Sequence, residues 1–150
     1  MTQSLPPKSL VLYADDDPDD IELIREAFHE FSNVIELVTF ESGRELLGYV
    51  EELTPLQPIP CLLVIDINMP GLNGKETLSL LRKMEGFGQI PAVLFSTSTL
   101  PSDAAFARNF NAGFVTKPLL TNQINQVVDQ LIGHCTDEVK QKINRQRRNK

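Results

Sequence analysis

Short apolar runs alternate with segments of helical spacing along the chain. Five runs rich in branched and aromatic side chains predict β-strands. They are SLVLYA (9–14), VIELVTF (34–40), CLLVID (61–66), PAVLFS (91–96) and AGFVTK (112–117). The third run is almost continuously apolar, which is typical of a strand that is buried on both faces of a parallel sheet.

The segments after these runs place apolar residues on one face of a helix. The predicted apolar faces comprise Ile21, Ile24, Phe28 and Phe31; Leu46, Leu47 and Val50; Leu78, Leu81 and Met84; and Ile124, Val127, Val128 and Leu131. A short helix is also predicted near 102–109. Ser42 and Glu45 have the spacing of a capping box at the start of the second helix. Five βα repeats predict right-handed crossovers and a doubly wound α/β domain with helices on both faces of a parallel sheet.

The length of 150 residues fits one domain. We predict an N-terminal extension over 1–7, the domain over 8–135, and a basic tail or helix extension over 136–150. The proline-rich segment 54–60 is interpreted as a loop before the third strand, and no internal domain boundary is predicted.

The net charge of −6 conceals an asymmetry. Six of the 14 basic residues lie in 140–150, which leaves 8 basic against 20 acidic residues in the rest of the chain. A strongly acidic body disfavours a nucleic-acid-binding domain, because phosphate contacts need a basic face. We expect the tail to be a solvated helical extension or a frayed terminus rather than a nucleic-acid or membrane contact.

Neither a signal peptide nor a membrane span is predicted. The N-terminus lacks the apolar segment of a signal peptide, and no apolar run approaches the ~18 residues of a spanning helix. We therefore expect a soluble, cytoplasmic protein.

Polar side chains follow four of the predicted strands. In a doubly wound sheet, ligands bind outside the carboxyl ends of the strands, where the strand order reverses. The residues at those ends are Asp15 and Asp16, Asp66, Ser96 and Thr97, and Lys117 before Pro118. Carboxylates, hydroxyls and an amine are therefore expected at one edge.

The segment YADDDPDD places five aspartates in six positions, 15–20. Asp17 precedes a proline at the first helical position, which is typical of a helix start that Asp17 caps. Asp19 and Asp20 then suit the dipole of the first turn. We interpret these three residues as structural.

Asp15 and Asp16 lie at the strand end instead, facing the same edge as Asp66. Three gathered carboxylates repel each other unless a cation joins them, and a hard divalent ion such as Mg²⁺ suits oxygen ligands. Periodicity alone leaves open the alternative that Asp15 or Asp16 is another solvated acid at a helix start.

Four blocks, ADDDPDD, LLVIDINMPGLNG, PAVLFSTS and GFVTKP, resemble the signature blocks of the response-regulator receiver domain of two-component signalling, over about residues 8–135. The resemblance implies a flavodoxin-like (βα)5 fold with strand order 2-1-3-4-5. It implies that Asp66 is the phosphoacceptor and that Asp15, Asp16, Asp66 and the backbone carbonyl of Asn68 hold Mg²⁺.

The resemblance also implies a switch. Ser96 matches the switch hydroxyl, Lys117 the lysine that contacts the phosphoryl group, and Phe114 the switch aromatic. Many relatives have Glu at the position of Asp15 and Thr at that of Ser96, and neither difference removes a function. The expected output is a change of the face formed by the fourth helix, fifth strand and fifth helix.

The implied partners are a sensor histidine kinase or phosphotransfer protein, a downstream protein target and a second copy of the chain. We expect no DNA-binding domain, no membrane contact and no enzymatic turnover beyond self-catalysed phosphotransfer and dephosphorylation. The sequence around the first helix is most similar to that of stand-alone regulators that work with bacteriophytochrome-type or hybrid kinases.

Two alternatives belong to other functional classes. A Mg²⁺-dependent aspartyl-phosphate phosphohydrolase usually carries a second acid two residues after its nucleophile, where this chain has Asn68. A flavodoxin-like nucleotide or flavin binder needs a phosphate-binding loop after the first strand, and the carboxylates here would repel phosphate.

Overall fold

Five parallel strands form the central sheet of the computed structural model, which describes residues 8–53 and 59–148. The strands are β1 (Ser9–Ala14), β2 (Ile35–Phe40), β3 (Leu62–Asp66), β4 (Ala92–Ser96) and β5 (Gly113–Thr116). Their order across the sheet is β2-β1-β3-β4-β5, and every neighbouring pair is parallel. The predicted doubly wound α/β fold with order 2-1-3-4-5 is confirmed.

Six α-helices connect and cover the strands in the described residues. They are α1 (Pro18–Phe28), α2 (Gly43–Glu51), α3 (Gly74–Lys83), α4 (Pro101–Asn109), α5 (Ile124–Ile132) and α6 (Asp137–Arg148). A 3₁₀ turn over His29–Phe31 continues α1, and another over Thr121–Gln123 precedes α5.

The sheet separates two apolar clusters. One contains the inward faces of α1, α5 and α6 with β-strand residues such as Val11 and Val64. The other contains those of α2, α3 and α4 with residues such as Leu63 and Leu94. Of the predicted helical faces, only Leu47 and Met84 are less than fully buried. Burial on both faces explains why the third strand is apolar throughout.

Side chains cap the helices largely as predicted. The Asp17 carboxylate accepts a hydrogen bond from the Asp19 backbone N–H at 2.9 Å, at the start of α1. Ser42 Oγ accepts from the Glu45 N–H at 3.1 Å. The second half of the expected capping box differs, because the Glu45 carboxylate accepts from Glu41 N–H instead of Ser42 N–H.

The C-terminal segment is the main correction to the sequence analysis. The sequence predicts a solvated helical extension or a frayed terminus. The described part is helical, as α6, but it is not fully solvated, because its Val139 and Ile143 are each only 2% exposed. The guanidinium of Arg147 lies 5.1 Å from the centre of the Phe31 ring. Two apolar residues four positions apart form a narrow helical stripe, and that stripe is sufficient to dock α6 on the domain.

Some predictions fall outside the described residues. These are the N-terminal extension 1–7 and most of the loop 54–60. The division into 8–135 and 136–150 stays a prediction. Across the described ranges, every helix is too short or too polar to cross a membrane.

Candidate functional site

Three carboxylates meet where β1 and β3 end. These strands are neighbours in the sheet; Asp15 and Asp16 follow β1 directly, and Asp66 is the last residue of β3. One oxygen from each of the three side chains lies within 4.8 Å of the others. The structure therefore brings together the three acids that the sequence places at one edge.

Asp15 is fully buried and held in a fixed orientation. The Tyr13 hydroxyl donates to Asp15 Oδ2 at 2.6 Å, and the Asp17 N–H donates to Oδ1 at 3.0 Å. Burial and the Asp15 charge raise the pKa of Tyr13 far above its usual value, so that the hydroxyl keeps its proton. Tyr13 is a site contact that sequence analysis missed; its position two residues before the first acid, on the same face of β1, was the available signal.

The surroundings of Asp66 disfavour a negative charge on its carboxylate. Burial raises the pKa of Asp66 to about 7, the charge of Asp15 adds to the rise, and Lys117 opposes it. Excess negative charge among hard oxygen donors suits a small divalent cation. Asp16 is exposed and leaves this cluster open to solvent. The residues therefore fit Mg²⁺.

Lys117 provides the positive charge at this edge. Its Nζ lies 2.8 Å from Asp15 Oδ2, 2.9 Å from Asp20 Oδ2 and 3.4 Å from Asp66 Oδ1, and its side chain is 10% exposed. Burial works to lower the pKa of Lys117, but hydrogen bonds with Asp15 and Asp20 outweigh it and raise that pKa. The ammonium group therefore stays charged and close to Asp66.

Asp20 corrects the interpretation of the acidic segment. Sequence analysis assigned it to the helix dipole, but its carboxylate pairs with Lys117, 97 residues further along the chain. Side chains lean toward the N-terminus of their helix, and an acid in the first turn of α1 therefore points back at the strand ends. The position of Asp20 in the first turn of α1 was therefore the signal available in the sequence.

The loop after Asp66 packs against the end of β3. Gly71 has a positive φ of 72°, and a Cβ at Gly74 would lie only 2.1 Å from the carbonyl oxygen of Asp66. The Asn68 backbone N–H donates to Asp66 Oδ1 at 3.3 Å. Position 74 thus requires glycine, because the backbone of Asp66 approaches it so closely.

Ser96 and Phe114 lie on one side of the sheet. Ser96 is fully buried, and its Oγ accepts a hydrogen bond from the Ser98 N–H at 3.0 Å. Ser96 pairs with Thr116 across the two strands. Phe114, two residues before Thr116, shares its face and is partly buried against the apolar cluster of α2, α3 and α4.

This arrangement is suited to forming an acyl phosphate. A buried carboxylate can act as nucleophile toward phosphorus, while a fixed ammonium and a hydroxyl offer hydrogen bonds to phosphoryl oxygens. Asp66, Lys117 and Ser96 carry these three groups at adjacent strand ends.

Comparisons with known proteins agree with this geometry. A family model for the response regulator receiver domain matches residues 11–129. The probable methanogenesis regulatory protein FilR2 of Methanothrix harundinacea (strain 6Ac) is 24% identical over 125 residues, which cover 81% of this chain and 80% of the relative.

Solved structures show the same fold. The phosphorylated cyanobacterial phytochrome response regulator RcpA is similar with a TM-score of 0.76 and 25% identity, over 84% of this chain and 92% of RcpA. A two-component response regulator from Legionella pneumophila is similar with a TM-score of 0.67 and 28% identity, over 84% of this chain and 99% of that protein.

Proposed function

Because the chain belongs to the response regulator receiver domain family, we propose that it is a signalling switch that accepts a phosphoryl group on Asp66. The observation that carries the proposal is the contact set of Asp66. Its buried carboxylate lies at the edge shared with Asp15 and Asp16, and Lys117 Nζ lies 3.4 Å from Oδ1. A nucleophile, a cation-binding pair and a fixed positive charge are the parts that aspartyl phosphorylation requires.

In the proposed reaction, an Asp66 oxygen attacks phosphorus. A new O–P bond forms as the bond from phosphorus to the donor breaks, and the donor's leaving group takes the electron pair. Lys117 donates a hydrogen bond to one phosphoryl oxygen, and the Ser96 hydroxyl donates to another. These contacts stabilise charge on the transferring group and hold it in line with the leaving atom.

The metal proposed for this site is Mg²⁺. Asp15, Asp16, Asp66 and the backbone carbonyl of Asn68 would hold it. When bound, the ion would neutralise negative charge on the phosphoryl group. The chain itself contributes the fixed orientation of Asp15, through Tyr13.

The signal is proposed to leave through Ser96. A phosphoryl group on Asp66 offers the Ser96 hydroxyl a new acceptor, so that Ser96 moves inward and vacates space beside β5. Phe114 then fills that space. The face formed by α4, β5 and α5 changes as a result, and a partner that prefers one arrangement reads the difference.

The proposed partners follow from family membership and from the acceptor chemistry. A sensor histidine kinase or a phosphotransfer protein donates the phosphoryl group in the cytoplasm, and a downstream protein or a second copy of the chain reads the changed face. The likeness to a phosphorylated phytochrome response regulator supports a phytochrome-type or hybrid kinase as donor. The described residues contain the receiver fold and α6, and no DNA-binding domain.

A phosphohydrolase is disfavoured at the same site. Turnover of an aspartyl phosphate needs a group that activates water, and two residues after Asp66 the chain carries an amide, Asn68. Binding of a free nucleotide phosphate is disfavoured by the carboxylates after β1.

The first prediction tests the acceptor. Incubation with a small acyl phosphate and Mg²⁺ should add one labile phosphoryl group to the wild-type chain and none to Asp66→Asn, because only that carboxylate has the required surroundings. Intact-protein mass spectrometry measures the incorporation, and Asp19→Asn serves as a control of equal charge change. Equal incorporation in wild type and Asp66→Asn would remove Asp66 as the acceptor.

A further inference from the structure

A second polar cluster lies beside the acceptor site, between α3 and α4. Lys75 Nζ pairs with Asp103 Oδ1 at 2.5 Å, and Ser98 Oγ donates to Asp103 Oδ2 at 2.5 Å. Asp103 is only 6% exposed. The hydrogen bonds from Lys75 and Ser98 lower the pKa of Asp103, so the carboxylate stays ionised. The three residues thus form a paired polar cluster at the first turns of α3 and α4, in which Asp103 is buried and Lys75 and Ser98 are partly exposed.

Ser98 connects this cluster to the switch hydroxyl. Its backbone N–H donates to Ser96 Oγ at 3.0 Å, while its own Oγ contacts Asp103 and accepts from the Leu100 N–H at 3.1 Å. The loop between β4 and α4 is therefore tied at one end to Ser96 and at the other to α4. A displacement of Ser96 Oγ must break its bond to Ser98 or move Ser98 away from Asp103.

The other end of the cluster is fixed to the acceptor strand. Lys75 follows Gly74, whose N–H donates to the Ile67 carbonyl at 2.9 Å and whose backbone lies against Asp66. Lys75 Nζ is also 5.3 Å from the centre of the Phe106 ring. The first turn of α3 thus cannot follow a shift of the β4–α4 loop without losing its own contacts.

We propose that Lys75, Asp103 and Ser98 form a latch that holds the β4–α4 loop in its unphosphorylated arrangement and so sets how readily the switch responds. The proposal rests on the proposed function of Asp66 and Ser96. Opening the latch would leave the buried Asp103 carboxylate without its Lys75 and Ser98 donors. A buried charge without partners is unfavourable, so the latched arrangement is favoured. The latch therefore lowers the fraction of molecules in the active arrangement before phosphorylation.

The test uses beryllofluoride with Mg²⁺ as the phosphoryl mimic, titrated by NMR. Apparent affinity for the mimic is the intrinsic affinity multiplied by the fraction of molecules in the competent arrangement. Opening the latch should therefore tighten binding by about three- to tenfold. Without the mimic, the amide signals of 113–117 should already move toward their bound positions, a change that a purely structural role does not produce.

Two charge-changing variants distinguish opening of the latch from a direct electrostatic effect on the mimic. Asp103→Asn removes a negative charge and Lys75→Met a positive one, so that a direct electrostatic effect on the anionic mimic would have opposite signs. If the latch opens instead, both variants should bind the mimic more tightly than the wild type. The double variant should then have the same affinity as either single variant. Asp137→Asn and Lys142→Met are matched controls, since both residues belong to ion pairs on the distant α6.

Ser98→Ala is the milder variant, because it removes one hydroxyl and leaves the ion pair intact. It should tighten binding in the same direction. Opposite signs for the two charged variants, unchanged affinity, or weaker binding in all three would overturn the latch. If the wild type binds no beryllofluoride, the proposed function fails and the latch with it; if only the variants fail to respond, the latch alone is wrong.

Discussion

At the scale of residues, the aspartates of 15–20 differ in what their carboxylates contact. Asp15 is buried against Tyr13 and Lys117, Asp17 caps a helix, and Asp20 pairs with Lys117. Like charges can be crowded here because Asp15, Asp17 and Asp20 each accept hydrogen bonds, and the single ammonium group of Lys117 offsets the charge of both Asp15 and Asp20. Asp16 is exposed, and its carboxylate belongs to the cluster with Asp15 and Asp66.

The residue-scale prediction concerns Mg²⁺. Asp16→Asn should weaken Mg²⁺ binding by about tenfold or more, since loss of a ligand costs at least as much as loss of a group supporting one. Asp20→Asn makes the same charge change but removes a Lys117 partner, and should alter the affinity by only about twofold through screened long-range charge. Calorimetric titration measures both, with Asp19→Asn as control. Equal losses in Asp16→Asn and Asp20→Asn would show that both acids hold the ion.

At the scale of elements, α6 is attached to the domain by few but well-placed contacts. Val139 and Ile143 enter the cluster shared with α1 and α5, and Gln146 Nε2 donates to the Glu30 carbonyl at 2.6 Å. Arg147 pairs with Asp129 of α5. A solvated or frayed tail could be deleted with little loss of stability; these contacts lead to the opposite expectation for 140–150.

Ile143→Ala should therefore destabilise the fold. Removing a buried isoleucine side chain typically costs about 2–5 kcal/mol. For a protein of this size that lowers the melting temperature by roughly 5–15 °C. Thermal melting followed by circular dichroism measures the change, and the exposed neighbour Asn144→Ala is the control. A melting temperature equal to that of the control would mean that α6 does not dock in solution.

At the scale of the whole molecule, the sheet separates two apolar clusters, and the carboxyl ends of its strands carry Asp15, Asp66 and Lys117 at one edge. Ser96 and Phe114 belong to the side covered by α3 and α4, whereas Tyr13 and Lys117 connect to the side of α1. Under the proposed function, a change at Asp66 would therefore reach one face of the domain while the other retains its packing.

Ser96→Ala should separate chemistry from transmission. The variant should still accept a phosphoryl group from a small donor, because Asp66 and Lys117 remain. It should lose the change in amide exchange across 100–125 that the phosphoryl mimic causes in the wild type, because the trigger hydroxyl is absent. Hydrogen-exchange mass spectrometry measures this, with the exposed Ser102→Ala as control. A response in Ser96→Ala as strong as in the wild type would exclude the hydroxyl as the trigger.

The sequence by itself determined the elements, the strand ends and most of the residues that meet at the candidate site. Periods of two and 3.6 residues encode which face of an element is buried, and a polar residue after an apolar run marks the end of a strand. Asp15, Asp16, Asp66, Ser96 and Lys117 could be placed at one edge for that reason. Parallel strands end on the same side, so local pattern sufficed.

Only the tertiary structure decided which partners these elements meet. The pairing of Asp20 with Lys117, the ion pair of Lys75 with Asp103 and the docking of Ile143 all join residues from separate elements. Local periodicity predicts whether a side chain faces inward or outward, but not which residue of another element it contacts. That depends on how helices pack across the sheet, where distance along the chain carries no information about distance in space.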